Sequence, residues 1–184
     1  EKVLEILNAK NPKFRYKSFT QYDSSICQYH ERRTEICGRC AEVCPTVAIL
    51  KEDETKHLVF SAIDCTNCGN CISVCPSGSL DSTLMPQSSF ATIAKLYKDK
   101  IALVVSEEIN LEELNVSLPQ NVIPVVILAP HLLSQTHFLT LLQESGASVI
   151  LYSKSLGKGE KDAISILNQI YELKFKEQAI HHAK

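Results

Sequence analysis

The chain has 184 residues, 45% of them hydrophobic and 22% charged, with a formal net charge of −2. That length suits one domain or two small ones. The mildly acidic balance offers no sequence-wide basic field for a nucleic acid, and no run approaches the ~18 apolar residues that a membrane span needs.

The chain opens at Glu1 with no basic, apolar leader, so we read it as a trimmed chain or a piece of a longer protein. In residues 1–10, Val3, Leu4, Ile6 and Leu7 share one broad face, which predicts a short amphipathic helix ended by Asn11-Pro12. Residues 13–36 are polar and mixed. Their aromatics Phe14, Tyr16, Phe19, Tyr22 and Tyr29 read as satellite core. The loose basic run Lys10, Lys13, Arg15 and Lys17 reads as a solvated face.

All eight cysteines fall between residues 27 and 75, and residues 76–184 have none. Disulfide-rich secreted domains spread their bridges over the whole fold, whereas Cys-x2-Cys repeats followed by Cys-Pro mark metal ligation in a reducing compartment. The expectation is a cytoplasmic metalloprotein. From Cys65 to Pro76, with Cys68, Cys71 and Cys75 between, the spacing is C-x2-C-x2-C-x3-C-P, the bacterial [4Fe–4S] pattern. Three thiolates two residues apart occupy one tight loop that can reach three corners of a cubane. Gly69 allows the chain to approach closely, and Pro76 fixes the backbone after Cys75. Zinc also accepts four thiolates, but it needs neither the third close cysteine nor the Cys-Pro.

A second copy lies 31 residues upstream, where Cys37, Cys40 and Cys44-Pro45 align with Cys68, Cys71 and Cys75-Pro76. Its first cysteine belongs at position 34, which holds Thr34; Cys27 is the nearest substitute and makes the spacing C-x9-C. The longer detour costs ~1–2 kcal/mol in closure entropy, small beside metal-binding free energies on the order of 10 kcal/mol. Cys27 is therefore the expected ligand, the alternative being a free buried thiol beside a [3Fe–4S] cluster or a labile fourth site. Arg32 and Arg33 in the inserted stretch read as solvated charges. Between the copies, Val47–Leu50 and His57–Ala62 predict a hairpin across the polar loop 51–56.

These motifs resemble those of two-cluster bacterial ferredoxins over about residues 24–81. The resemblance implies a pseudo-twofold α+β module with crossed ligation. One [4Fe–4S] cluster would take Cys27, Cys37, Cys40 and Cys75; the other would take Cys65, Cys68, Cys71 and Cys44. It also implies electron transfer at low potential.

Asp81 to Ser89 reads as a connector, and Ser88 or Ser89 as the cap of a helix over Phe90–Lys98. Apolar runs at Ile101–Val105, Val122–Leu128 and Ser148–Tyr152 predict strands. Helical patterns at Leu111–Asn115, Gln135–Glu144 and Glu160–Gln178 alternate with them, and Gly146 suits a helix C-terminus. His181 and His182 sit in a helix-like tail. The expected architecture is a ferredoxin-like α+β cluster domain followed by a small α/β domain whose parallel sheet has about three strands. The expected divisions are an N-terminal helix and connector at 1–23, a 2[4Fe–4S] domain at 24–86 and an α/β domain at 87–184. The cysteine-rich half should depend on its cofactor for stability, while the α/β half should fold by itself.

The segment Asn121–Ser153 is similar, in element order alone, to the small delta subunit of hydrogenase and heterodisulfide reductase complexes. That family's cysteines are absent from it. His131 and His137 read as surface or helix-capping histidines. Leu156–Glu160 lacks the spacing of either phosphate-binding glycine motif and reads as a flexible loop. No Ser-His-Asp or Cys-His nucleophile is present, so no catalytic residue is assigned. The expected function is electron transfer through two [4Fe–4S] clusters, as a domain or subunit beside a cytoplasmic oxidoreductase of formate dehydrogenase or hydrogenase type, with a redox protein as partner. The alternative is an iron–sulfur sensor or adaptor with a labile first cluster. A nucleotide-binding enzyme ranks third, with no flavin or nicotinamide binding expected.

Overall fold

Two antiparallel ribbons frame the cysteine-rich half. β1 (Thr20–Tyr22) pairs with β4 (Leu80–Ser82), placing Tyr22 opposite Leu80. β2 (Ile49–Glu52) and β3 (His57–Phe60) form the expected hairpin, with Ile49 opposite Phe60 and Glu52 opposite His57. In this computed structural model the described residues are 17–31, 37–110, 113 and 117–184. The helix expected in residues 1–10 and, apart from Glu113, the one at Leu111–Asn115 lie outside them. β1 falls inside a stretch that reads as polar and mixed, because a strand of three residues has no period to detect.

Beyond residue 86 the chain builds one parallel sheet of four strands in the order β6-β5-β7-β8, rather than about three. β5 (Ile101–Ser106) is central and almost wholly buried, as its unbroken apolar run requires. β6 (Val122–Ile127) is an edge strand, which explains how it tolerates Pro124. β7 (Val149–Tyr152) lies on the other side of β5. The added strand is β8 (Ile180–Ala183), which contains His181 and His182 and corrects the helical reading of the tail. The Asn168 side chain accepts from the Ile180 N–H at 2.8 Å and donates to its carbonyl at 2.9 Å, so β8 gains on one side the backbone partners of a strand.

The helices add two short turns and shift two expected elements. α1 (Arg39–Glu42) and α2 (Asn70–Ser73) are single turns that follow Cys37 and Cys68. α3 (Gln87–Ala94) begins ahead of either candidate serine cap, because both Asp81 carboxylate oxygens accept the Gln87 N–H at 3.1 Å. A tight turn over Lys95–Tyr97 continues it. α4 (Gln135–Ser145) matches expectation and ends at Gly146, whose φ of 66° is the left-handed region that glycine enters without strain. α5 (Lys158–Phe175) is offset toward the N-terminus from the expected Glu160–Gln178, and Lys176 closes it at φ 62°.

Residues 156–160 are not a flexible loop. Gly157 caps α5, and the Gly159 backbone lies so close to α2 that a Cβ there would stand 2.5 Å from the Ser73 carbonyl carbon. A Cβ on Gly69 would likewise stand 2.7 Å from Leu132 Cα. Cys68 and the loop after β6 are joined by the His131 N–H, which donates to the Cys68 carbonyl at 2.9 Å. Ile72, Leu80, Phe90, Leu133 and Phe138 belong to one buried cluster, so apolar packing runs continuously from the cysteine loops into the sheet.

Gly159→Ala should therefore destabilise the protein by about 1–3 kcal/mol through overpacking against backbone, read as a lowered thermal midpoint. Gly146→Asn, with open space around it and a left-handed φ, should be close to neutral.

Candidate metal centre

The 31-residue repeat in sequence is a repeat in hydrogen bonding. The Gly38 carbonyl accepts from Ala41 and Glu42, and the Gly69 carbonyl accepts from Ile72 and Ser73. Val43 donates to Arg39 as Val74 does to Asn70, and Cys44 to Ala41 as Cys75 to Ile72. The hydroxyl of Thr46 lies 3.8 Å from Cys44 Sγ, and that of Ser77 lies 3.7 Å from Cys75 Sγ. Even the left-handed residue after each Cys-Pro recurs, Val47 at φ 56° and Gly78 at φ 69°. Each copy thus turns its last cysteine away from its own loop by the same backbone path.

The consequence is an exchange. Cys44 lines a cavity with Cys65, Cys68 and Cys71, walled by Phe19, Ala48, Ile49 and Phe60. Cys75 lines another with Cys27, Cys37 and Cys40, walled by Tyr22, Leu58 and Leu80. Every cysteine singled out in the sequence stands at one of these two cavities, and none is in a disulfide. Cys27, displaced in sequence by the long insertion, is brought back to its set and is 6% exposed.

The two cavities treat their sulfurs unequally. Burial pushes the Cys40 thiol up to about 12 and that of Cys71 up to about 11, with neighbouring cysteines adding to the rise. These two give up their protons only if positive charge compensates them. At Cys27 burial works the same way but is outweighed by the polar groups that surround the sulfur, among them the Tyr22 side chain and the backbone N–H groups of Tyr29 and His30, so its pKa is lowered. Cys44 is likewise lowered against burial by donors on Thr46, Ala48 and Ile49, the Ala48 N–H standing 3.2 Å from its sulfur.

This donor set fits an iron–sulfur cubane better than a single ion. Four thiolates on one zinc at ~2.3 Å stand about 3.8 Å apart. Among the described residues, which include all eight cysteines, no three sulfurs converge within 4.8 Å. Sulfurs spread over the four corners of a cluster need the wider spacing. Apolar walls and N–H···S donors complete the setting in which such clusters are held and tuned.

Two sets of four thiols between apolar walls are the donor sets of an iron–sulfur protein. A family model described as a 4Fe-4S dicluster domain matches residues 35–79, less than half of the chain. No curated protein and no solved structure matches. The family match stops short of Asn121–Ser153. No helix among the described residues is long and apolar enough to cross a membrane.

The two flagged histidines have structural places. His137 is 2% exposed and caps α4, its Nδ1 accepting the Ser134 N–H at 3.2 Å. His131 Nδ1 lies 3.2 Å from Oε2 of the buried Glu160, which raises the imidazole pKa, and the same oxygen accepts the Gly157 N–H at 2.9 Å. Of the aromatics, Phe19 and Tyr29 are core, whereas Tyr22 faces Cys27, a role that sequence position alone does not reveal. Phe14, Tyr16, Arg32 and Arg33 lie outside the described residues, as does the basic run apart from Lys17.

Two outcomes follow from this geometry. Val47 is a β-branched residue held left-handed and 63% exposed, so Val47→Asn should relieve strain and stabilise by about 1 kcal/mol in thermal or denaturant unfolding. Burial lowers His137 from 6.5 to about 4, so between those values the unfolded chain binds the extra proton. Its contribution is therefore present above pH 6.5 and drains away as pH falls toward 4, by up to about 3 kcal/mol. Unfolding midpoints across that window should flatten in His137→Gln.

Proposed function

We propose that the chain carries electrons through two [4Fe–4S] clusters, one on Cys27, Cys37, Cys40 and Cys75, the other on Cys44, Cys65, Cys68 and Cys71. The observation that carries this reading is the pair of four-cysteine cavities, linked by Cys44 and Cys75, each of which leaves its own half-repeat for the other. When bound, such a cluster supplies a centre that accepts and returns single electrons. The protein's share is to hold, shield and tune. Phe19, Ile49 and Phe60 keep water from one set, and Tyr22, Leu58 and Leu80 from the other. The Ala48 N–H directs a positive dipole at the Cys44 sulfur. α1 and α2 pack directly on each other, which favours passage between the two sets.

In this reading residues 24–86 form the cluster domain, and 87–184 brace it where Leu132, Gly157 and Gly159 meet Gly69, Asn70 and Ser73. The physiological setting is a redox protein partner in a cytoplasmic oxidoreductase system of formate dehydrogenase or hydrogenase type. The low exposure of Cys27 and its several donors favour a stable carrier over a sensor with a labile first cluster.

Anaerobic reconstitution with iron and sulfide tests the reading. Wild type should hold about eight irons per chain and give two reducible centres by EPR, while Cys27→Ser should lose or alter one of them. Iron near zero with zinc in its place would refute the proposal.

A further inference from the structure

The stretch that displaces Cys27 from its regular position also carries His30 and Glu31, and the fold delivers both to His57 at the start of β3. This juxtaposition is fastened from two directions. The Glu31 N–H donates to the Lys56 carbonyl at 3.1 Å, and the Tyr29 hydroxyl donates to Asp53 Oδ1 at 2.8 Å. Glu31 itself is left-handed, φ 53°, an uncommon state for a glutamate.

The three side chains converge without satisfying one another. Glu31 Oε1 lies 3.8 Å from His30 Nε2 and 3.7 Å from His57 Nε2. Those separations are too long for hydrogen bonds. The imidazoles stack at 4.6 Å with 13° between planes, and His30 Nδ1 is buried with no partner. Among the described residues, this is the only group of three or more His, Cys, Asp or Glu donors within 4.8 Å of one another. Around one zinc at ~2.0–2.1 Å, donors of a tetrahedral site stand about 3.4 Å apart. The two separations from Glu31 Oε1 exceed that by only a few tenths of an ångström, and the two imidazole donors lie within 4.8 Å of each other.

We propose that His30, Glu31 and His57 form a site for a divalent transition-metal ion of the zinc class, held by two imidazoles and one carboxylate and completed by water. Two nitrogens and one carboxylate oxygen form a donor set that zinc accepts while keeping a position open. Each nitrogen lone pair lies in its ring plane, so binding opens the stack; His57, 44% exposed, has room to turn. Because His30 is three residues from Cys27 and its ring meets that of Tyr22 edge-on at 6.2 Å, an ion here ties the Cys27 segment to the β2–β3 hairpin. The site contains no cysteine and is independent of the cluster assignment.

Equilibrium dialysis of the cluster-loaded protein against zinc chloride, with zinc and iron counted in the same sample, tests it. The expected result is one zinc per chain with iron unchanged. Binding should weaken by about 100-fold or more in His57→Ala and at least tenfold in Glu31→Gln, and be unaltered in His181→Ala. No zinc retained, zinc held as tightly by both variants, or zinc gained at the expense of iron would each overturn the proposal. A sample that lacks iron sinks the cluster reading instead, and the difference between wild type and His57→Ala still decides this one.

Discussion

Each half-repeat closes around sulfur from the other: Cys44 stands with the loop that opens at Cys65, and Cys75 with the loop that opens at Cys37. Neither loop can assemble four thiols alone. Docking of α1 on α2, the paired Cys-Pro turns and the two short ribbons all serve that exchange. Strands of three and four residues bury little apolar surface of their own, so this half relies on shared walls and, once loaded, on its ligand bonds.

The α/β half is built to the same tolerance. Glycine at 69 and 159 lets backbone meet backbone, glycine at 157 admits the Asn70 and His131 side chains, and the buried Glu160 ties Gly157 and His131 into the contact. The elements that touch the cysteine loops are the turn after β6 and the start of α5, the places where a parallel sheet ordinarily presents ligands. Here those strand ends support a metal-binding module.

Much of this was legible in the chain. The cysteine spacing, the 31-residue offset and the apolar runs of β5, β6 and β7 arise from local rules, since ligand geometry and strand burial leave residue-level patterns. β1 and β8 were not legible. β1 exists because Leu80–Ser82 provides a partner, and β8 because β7 and the Asn168 amide do. The start of α3 was misplaced for a similar reason, its cap being supplied by Asp81 from another element.

The sequence by itself determined the chemistry, because thiolates at these intervals suit an iron–sulfur core and little else. The crossed cysteine sets and the return of Cys27 were expected from the resemblance; only the tertiary structure decided that β1 and β8 find partners, that Asp81 starts α3, and that His30, Glu31 and His57 meet. Those outcomes depend on contacts between segments far apart along the chain, where spacing carries no information and packing alone selects the neighbour.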